Sequence, residues 1–493
     1  MTLFDLLDAS RRARPAALAV NDVTYDDLCR GFTRVAERLR RFGVKSGDRI
    51  ALYCENRIGW VYAYLAALRL GAIVVPANIL YRAADLQHVL ADSGAAFVVV
   101  SDQTRAHVAD LGRAIAIVDV ADIERWAAEA SLELATTPHE PESDDVATII
   151  YTSGTTGRSK GAMLTFGNLA AICANIVTAW RWTDRDTLLI ALPLFHVHGL
   201  CAALNSSLAA GARIIIHERF DADAALAEMR RSGVTMFFGV PTMYIRLLEL
   251  AASDQPPQLR LWVSGSAALS ADVFDQFAQR FGAQILERYG ATEFGFALTN
   301  RYGGPRVAGS VGVPFPAMRV RIAAPGSAEP VAHGQTGELL VAGTSVFKGY
   351  WQNPQATAGA FVSDREGTRW YRSGDLATFD AQQRVYKIVG RLKELIITGG
   401  FNVYPREIEI EIDRFSAVKA SAVVGRPDRA RGELPVAFVE AREGFDPEAL
   451  LAHLRARVAS FKVPKEVIVV DALPRNALGK IEKHRLRERL NEG

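Results

Sequence analysis

The chain has 493 residues, 49% of them hydrophobic and 23% charged, a balance typical of a globular protein and a length too great for one compact core. Lysine plus arginine (57) nearly cancels aspartate plus glutamate (55), with no long basic run, so nucleic-acid and membrane-surface roles get no support. Cys29, Cys54, Cys173 and Cys201 stand far apart without metal-ligand spacing and read as reduced thiols. The opening MTLFDLLDASRRARP meets charges too early for a signal peptide, and no later segment has the roughly 18 apolar residues of a membrane span, so a cytoplasmic protein without membrane insertion is expected.

In chain order, short β-branched runs alternate with longer amphipathic stretches: RIALY at 49, AFVVV at 96, TLLIAL at 187, RIIIH at 213, TMFFGV at 235 and LRLWVSG at 259. Between them, segments such as DDLCRGFTRVAERLRRFG and AALAEMRRSG carry apolar residues at helical spacing and end in glycine. This predicts an α/β body of mostly parallel sheets flanked by helices. After about residue 305 the runs MRVRI, GELLVAG, VYKIVG and ELIITGG close up, predicting a small β-rich subdomain. From 392 to 493 the pattern strand, loop, helix, two strands, helix, strand predicts a separate α+β cap on a body of residues 1–391.

The segment Tyr151–Gly161, YTSGTTGRSKG, follows the apolar run VATII and packs Gly154, Gly157 and Gly161 among Thr152, Ser153, Thr155, Thr156 and Lys160. Glycines let backbone N–H groups approach phosphates, hydroxyls add donors and the lysine adds charge, so a polyphosphate loop is expected. It is not a Walker A loop, because Lys160 is followed by glycine rather than Ser or Thr. His196 and His198 in FHVHG lack further ligands nearby in sequence, which argues against zinc.

TSGTTGRSKG is followed in order by LPLFHVHGL, GVPTMY, VSGSAALS, ERYGATEFG, YRSGDLATF, GRLKELIITGGFNVYPREIE and PRNALGKIEK. Eight ordered motifs over nearly the whole chain resemble the adenylate-forming enzymes: acyl- and aryl-CoA synthetases, peptide-synthetase adenylation domains and luciferases. The resemblance implies ATP, Mg2+ and coenzyme A as cofactors, a mobile cap, and an acyl-adenylate intermediate whose acyl group passes to a thiol. Coenzyme A and a carrier-protein phosphopantetheine both remain open as the acceptor, as do monomer and homodimer.

It also implies roles residue by residue. Glu293 in YGATE matches the magnesium-binding glutamate, with Thr155 beside it; Thr292 and Gly290 flank the phosphates. Tyr289 would stack on adenine, Ser266 would line the nucleotide and acyl sites, Asp375 would accept from the ribose hydroxyls, and Arg391 would reach ribose or phosphate. Lys480 in LPRNALGK matches the lysine that catalyses adenylation, although a lysine in a terminal KIEKHRLRER stretch would by itself read as solvated charge, and Lys483 is a nearby decoy. Lys393 matches the hinge. Gly399 and Gly400 match a loop lining the thiol tunnel, and a plain tight turn would also account for them. His196 matches a residue gating the acyl pocket.

Arg288 sets this chain apart from many fatty-acid and aryl relatives. ERYG, LTNRYGGPRVAGSVG and TGGFNVYPREIE resemble the malonyl-CoA synthetases, implying malonate or a similar small dicarboxylate as the acid. ATEFGF departs from that pattern, with Ala291 where a methionine is expected and Phe294 where a smaller residue is; Phe294 and Phe296 would reshape the pocket, leaving a neutral fatty or aromatic acid as the alternative. Arg288 pairing with a protein acid, or stacking on Phe294 or Phe296, is the purely structural reading.

Overall fold

The computed structural model describes residues 1–112, 114–129, 140–152, 158–250, 258–332, 334–476 and 479–492. The runs read from the sequence become strands in register with one another. Leu261–Ser264, Met236–Gly239, Thr187–Ile190 and Arg213–Ile216 lie parallel, Leu18–Val20 extends them at one edge, and Leu286–Ala291 joins at the other. Two antiparallel strands, Gly295–Thr299 and Val313–Pro314, complete this sheet beyond Leu286–Ala291.

A second sheet holds the parallel strands Ile73–Pro76, Arg49–Tyr53, Phe97–Val100 and Ala116–Asp119, with the hairpin of Val146–Thr152 and Lys160–Thr165 beside Ile73–Pro76. The parallel strands are nearly continuous apolar runs because helices cover both faces. The helix Tyr25–Arg41, for example, buries Leu28, Phe32, Val35 and Leu39 along one side. The four cysteines are buried and unpaired.

Residues 318–391 form an antiparallel sheet of Met318–Ala323, Gly337–Gly343, Arg369–Asp380, Phe361–Ser363 and Val385–Arg391. From Ile396 the strands belong to another sheet. Ile396–Thr398, Phe401–Val403, Val418–Asp428 and Gly432–Ala441 pair antiparallel, and Glu466–Val470 runs parallel to Gly432–Ala441. Apolar residues pack on both of its faces: Ile408, Ile412 and Leu450 on one, Phe438, Leu473 and Leu486 on the other. The short 3-10 turn Leu392–Glu394 connects the two sheets. Among the described residues no helix is long and apolar enough to cross a membrane.

Candidate active site

Some of the candidate residues, Thr152 and Ser266 among them, lie at or just past the C-terminal ends of strands that run parallel to a neighbour, as expected of an open α/β sheet. Thr152 and Lys160 are register partners at the foot of the glycine-rich loop, where the Thr152 hydroxyl donates to the Lys160 carbonyl at 3.4 Å. Ser153, Gly154, Thr155, Thr156 and Gly157 lie outside the described residues. The Lys160 ammonium stands 5.2 Å from the centre of the Tyr350 ring, whose hydroxyl donates to Glu293 Oε1 at 3.0 Å. Tyr350 therefore joins the loop lysine to the expected metal carboxylate, a link no motif signalled.

Glu293 and Thr292 sit in the turn between the strands Leu286–Ala291 and Gly295–Thr299. Gly290 is required there, because a Cβ would stand 2.1 Å from the Gly295 carbonyl oxygen. Burial raises the Glu293 pKa, and among the described residues no lysine or arginine forms an ion pair with it. A buried carboxylate lacking a counter-charge suits a hard cation. Among the described residues no three His, Cys, Asp or Glu gather as a metal cage, so Glu293 is the described carboxylate that would hold a Mg2+ ion, and the expected second ligand, Thr155, lies outside the described residues.

Asp375 and Arg391 face each other across the paired strands Arg369–Asp380 and Val385–Arg391, with Arg391 Nε 3.0 Å from Asp375 Oδ1. The Tyr289 hydroxyl donates to Oδ2 at 2.5 Å. Lys480, whose charge feels both Arg391 and Asp375, lies on a segment that pairs with Arg475 and Asn476. Asn476 N–H donates to the Lys480 carbonyl, Lys480 N–H to Asn476 Oδ1, and Arg475 and Ile481 form a β-bridge. At Gly479 the hairpin presses on Thr242, where a Cβ would come within 3.0 Å.

Burial, and then the neighbouring Arg391 guanidinium, push the Lys480 ammonium down to about 8 against the opposing pull of Asp375 and Glu394. Burial likewise pushes Lys393 down to about 8. Asp375 and Arg391, distant from Lys480 in sequence, are thus close enough to act on its charge, and Tyr289 is tied to Asp375 by its hydroxyl. Gly399 and Gly400 form the two-residue turn between Thr398 and Phe401, with φ of 56° and 84°. A turn with positive φ at both positions explains the two glycines by backbone conformation.

A second cluster surrounds Arg288. Its guanidinium lies 4.5 Å from the Phe296 ring centre, and its Nη2 donates to Ser266 Oγ at 3.3 Å. Gly265 makes room, since a Cβ there would stand 2.4 Å from Arg288 Cζ. Ser266 itself is left-handed, at φ 68°. Its Oγ is also 3.3 Å from His198 Nδ1. Arg288 is 5% exposed, its Nε has no hydrogen-bond partner, and no described carboxylate ion-pairs with it. Burial pushes its pKa down to about 9.

The structure brings His198, not His196, against Ser266. Each histidine has an unpaired buried Nε2, and burial lowers both pKa values, that of His196 to about 4. Both rings are therefore neutral near pH 7. His198 opens the π-helix His198–Asn205 and lies over Phe238 at 6.3 Å. Of the two phenylalanines, Phe296 underlies Arg288, whereas Phe294 packs between Tyr289 and Tyr371 at 5.6 Å from each.

Residues 7–351 match the AMP-binding enzyme family and residues 407–480 match the AMP-binding enzyme C-terminal domain. The chain is 39% identical to a feruloyl-CoA synthase of Amycolatopsis sp, over 97% of each chain. It is 35% identical to a mitochondrial malonate–CoA ligase of Mus musculus, over 95% of this chain and 87% of that one. Among solved structures, ATP-bound MatB from Rhodopseudomonas palustris superposes with a TM-score of 0.91 at 37% identity, over 99% of both chains. The chain belongs to the AMP-binding enzyme family. Within that class it is an AMP-forming acid–CoA ligase, using ATP, Mg2+ and coenzyme A.

Proposed function

We propose that the acid activated by this ligase is a small dicarboxylate, malonate or a close homologue. The observation that carries this reading is Arg288, a buried guanidinium with an unpaired Nε and no carboxylate partner among the described residues. A desolvated cation is costly unless something pairs with it, and the distal carboxylate of the substrate supplies that partner. Ser266 and His198 add a hydroxyl and a neutral imidazole beside it. The malonate–CoA ligase of Mus musculus among the relatives agrees with this reading; the feruloyl-CoA synthase favours a neutral aromatic acid, for which Phe296 and Phe238 would form the apolar wall.

In the first half-reaction the proximal carboxylate attacks the α-phosphorus of ATP and pyrophosphate leaves. Lys480 and Arg391 meet the negative charge that builds on the phosphoryl oxygens, Asp375 accepts from the ribose hydroxyls, and Lys160 with the loop after Thr152 holds the outer phosphates. A magnesium ion held by Glu293 would neutralise phosphate charge. In the second half-reaction the thiol attacks the acyl carbon and AMP leaves. That attack needs the space filled by the Lys480 hairpin, so the cap of residues 392–493 turns about Lys393 on the body of residues 1–391, and the Gly399–Gly400 turn swings in beside the thiol.

The test is AMP release from ATP across malonate, methylmalonate, butyrate, octanoate, benzoate and ferulate, with and without coenzyme A. A clear kcat/KM preference for malonate or methylmalonate is expected; preference for ferulate or benzoate would transfer the reading to the aromatic acid.

A further inference from the structure

Lys483 is three residues past Lys480 and opens the C-terminal helix Lys483–Glu492, where a lysine would ordinarily be solvated. Its side chain is only 14% exposed. Its Nζ lies 2.6 Å from Glu409 Oε1 and 3.1 Å from Glu394 Oε2, and those side chains are 6% and 21% exposed. Glu394 ends the 3-10 turn that links the two sheets. Glu409 belongs to the helix Pro405–Asp413 and accepts from Val423 N–H at 2.9 Å, which ties it to the strand Val418–Asp428. Arg487, one turn further along the terminal helix, donates to the Lys393 carbonyl at 3.3 Å.

We infer that Lys483 is a positioning residue for the adenylation step, a strut that sets the reach of the Lys480 ammonium by fixing the catalytic hairpin to the hinge turn. The path between the two lysines is stiff. Ile481 is bridged to Arg475 and Glu482 N–H donates to the Pro474 carbonyl at 2.8 Å, so a shift at Lys483 is transmitted to Lys480. A buried ion pair adds little net stability, because desolvation offsets the attraction; what it fixes is geometry. Glu394 is held to the cap by the same ammonium, so rotation of the cap about Lys393 leaves the strut intact, and the hairpin, Glu394 and the helix Pro405–Asp413 move as one body. This inference rests on the assignment of Lys480 to adenylation.

The experiment compares Lys483→Met, Lys483→Arg, Glu394→Gln and Lys480→Ala in the full chain. It measures pyrophosphate–ATP exchange for adenylation, and thioester formation from supplied acyl-adenylate. For Lys483→Met the exchange kcat should fall about 10- to 100-fold, the loss expected of a misplacement near 1 Å, with KM for ATP nearly unchanged. Thioester formation should stay near the wild-type rate, and Lys483→Arg should recover most of the exchange. Equal loss in both half-reactions, a loss confined to KM, or wild-type exchange in Lys483→Met overturns the inference. If Lys483→Met does not fold, Glu394→Gln carries the test, with the same split between half-reactions expected and its absence counting against the strut. If Lys480→Ala keeps wild-type exchange, the assignment of Lys480 fails and the strut falls with it. If Lys480→Ala is inactive in exchange while Lys483→Met is normal, only the strut is wrong.

Discussion

Asp375 and Arg391 are register partners on adjacent strands, and their ion pair at 3.0 Å leaves the other carboxylate oxygen to the Tyr289 hydroxyl. The carboxylate is thus held by two partners, and in the proposed reading ribose hydroxyls join it without a rotamer search. Asp375→Asn removes the charge while keeping the shape. A hydrogen bond to a charged group is worth about 1.5–3 kcal/mol, so the Kd for AMP should rise about 10-fold or more. Calorimetric titration with AMP checks this; an unchanged Kd would show that the ribose does not reach Asp375.

In its proposed role Lys480 acts as an ammonium, and burial, with Arg391 nearby, pushes its pKa down to about 8. The charged form is lost as pH rises through that value, so kcat/KM for ATP in the exchange reaction should fall on the alkaline side of about pH 8. Lys393 is pushed down to about the same value, so the profile alone does not name its owner. Lys480→Arg should lower the rate but carry the alkaline limb out of the measured range, because a guanidinium stays protonated. A limb that persists near pH 8 in this variant belongs to another group.

The proposed hinge at Lys393 can be probed through its backbone. Lys393→Pro fixes φ and removes an N–H in the linking turn. Thioester formation from supplied acyl-adenylate should slow more than adenylation does, since adenylation uses the orientation in which Lys480 already lies beside Arg391. Equal slowing of both, measured by the two single half-reactions, would move the pivot elsewhere or indicate misfolding.

What was legible in the sequence follows from what local pattern encodes. Runs such as RIALY and TMFFGV became the strands Arg49–Tyr53 and Met236–Gly239 because their apolar content permits little else between amphipathic helices. The ordered motifs brought Asp375, Arg391 and Lys480 under notice, and the structure gathers them. Side-chain pairing across long sequence separations was not legible. FHVHG offers two histidines two positions apart, and only the π-helix starting at His198 decides which ring meets Ser266. That helix depends on Gly199, whose absent side chain lets the Pro193 carbonyl approach. Lys483 looked like solvated charge because its partners, Glu394 and Glu409, are far away in sequence.

Glu287, adjacent to Arg288 but not ion-paired with it, accepts from Gly309 N–H at 3.1 Å. Burial pushes its carboxyl up to about 8, against the smaller opposing effects of backbone N–H groups and Arg406. Between the ordinary value near 4.5 and about 8 the folded chain holds a proton that the unfolded chain has released, so this group makes stability fall as pH rises. Glu287→Gln stays neutral throughout. The Tm of the wild type relative to this variant should therefore decline from pH 5 to pH 8, a trend scanning calorimetry of the pair would read directly. A flat difference would mean that Glu287 is ionised in the fold.

In the proposed reading Arg288 selects the acid. Its guanidinium stacks on Phe296, touches Ser266 at 3.3 Å and leaves Nε unpaired, so the stacking that a structural role predicts is present, while among the described residues no protein acid pairs with it. Stacking on one ring contributes about 0.5–2 kcal/mol and leaves the charge without a counter-ion. A substrate carboxylate would supply about 1.5–3 kcal/mol through a charge-assisted hydrogen bond. Arg288→Ala should then lower kcat/KM for malonate by about 10- to 100-fold, while butyrate, which lacks the second carboxylate, holds or gains as the vacated space becomes apolar. Arg288→Lys keeps a charge but not the planar fork, and should fall between the two. Loss of malonate and butyrate activity in equal measure would make Arg288 a structural residue. Wild-type preference for butyrate, octanoate or ferulate over malonate would mean that the stack on Phe296 is the whole of its role and that the pocket serves a neutral acyl chain.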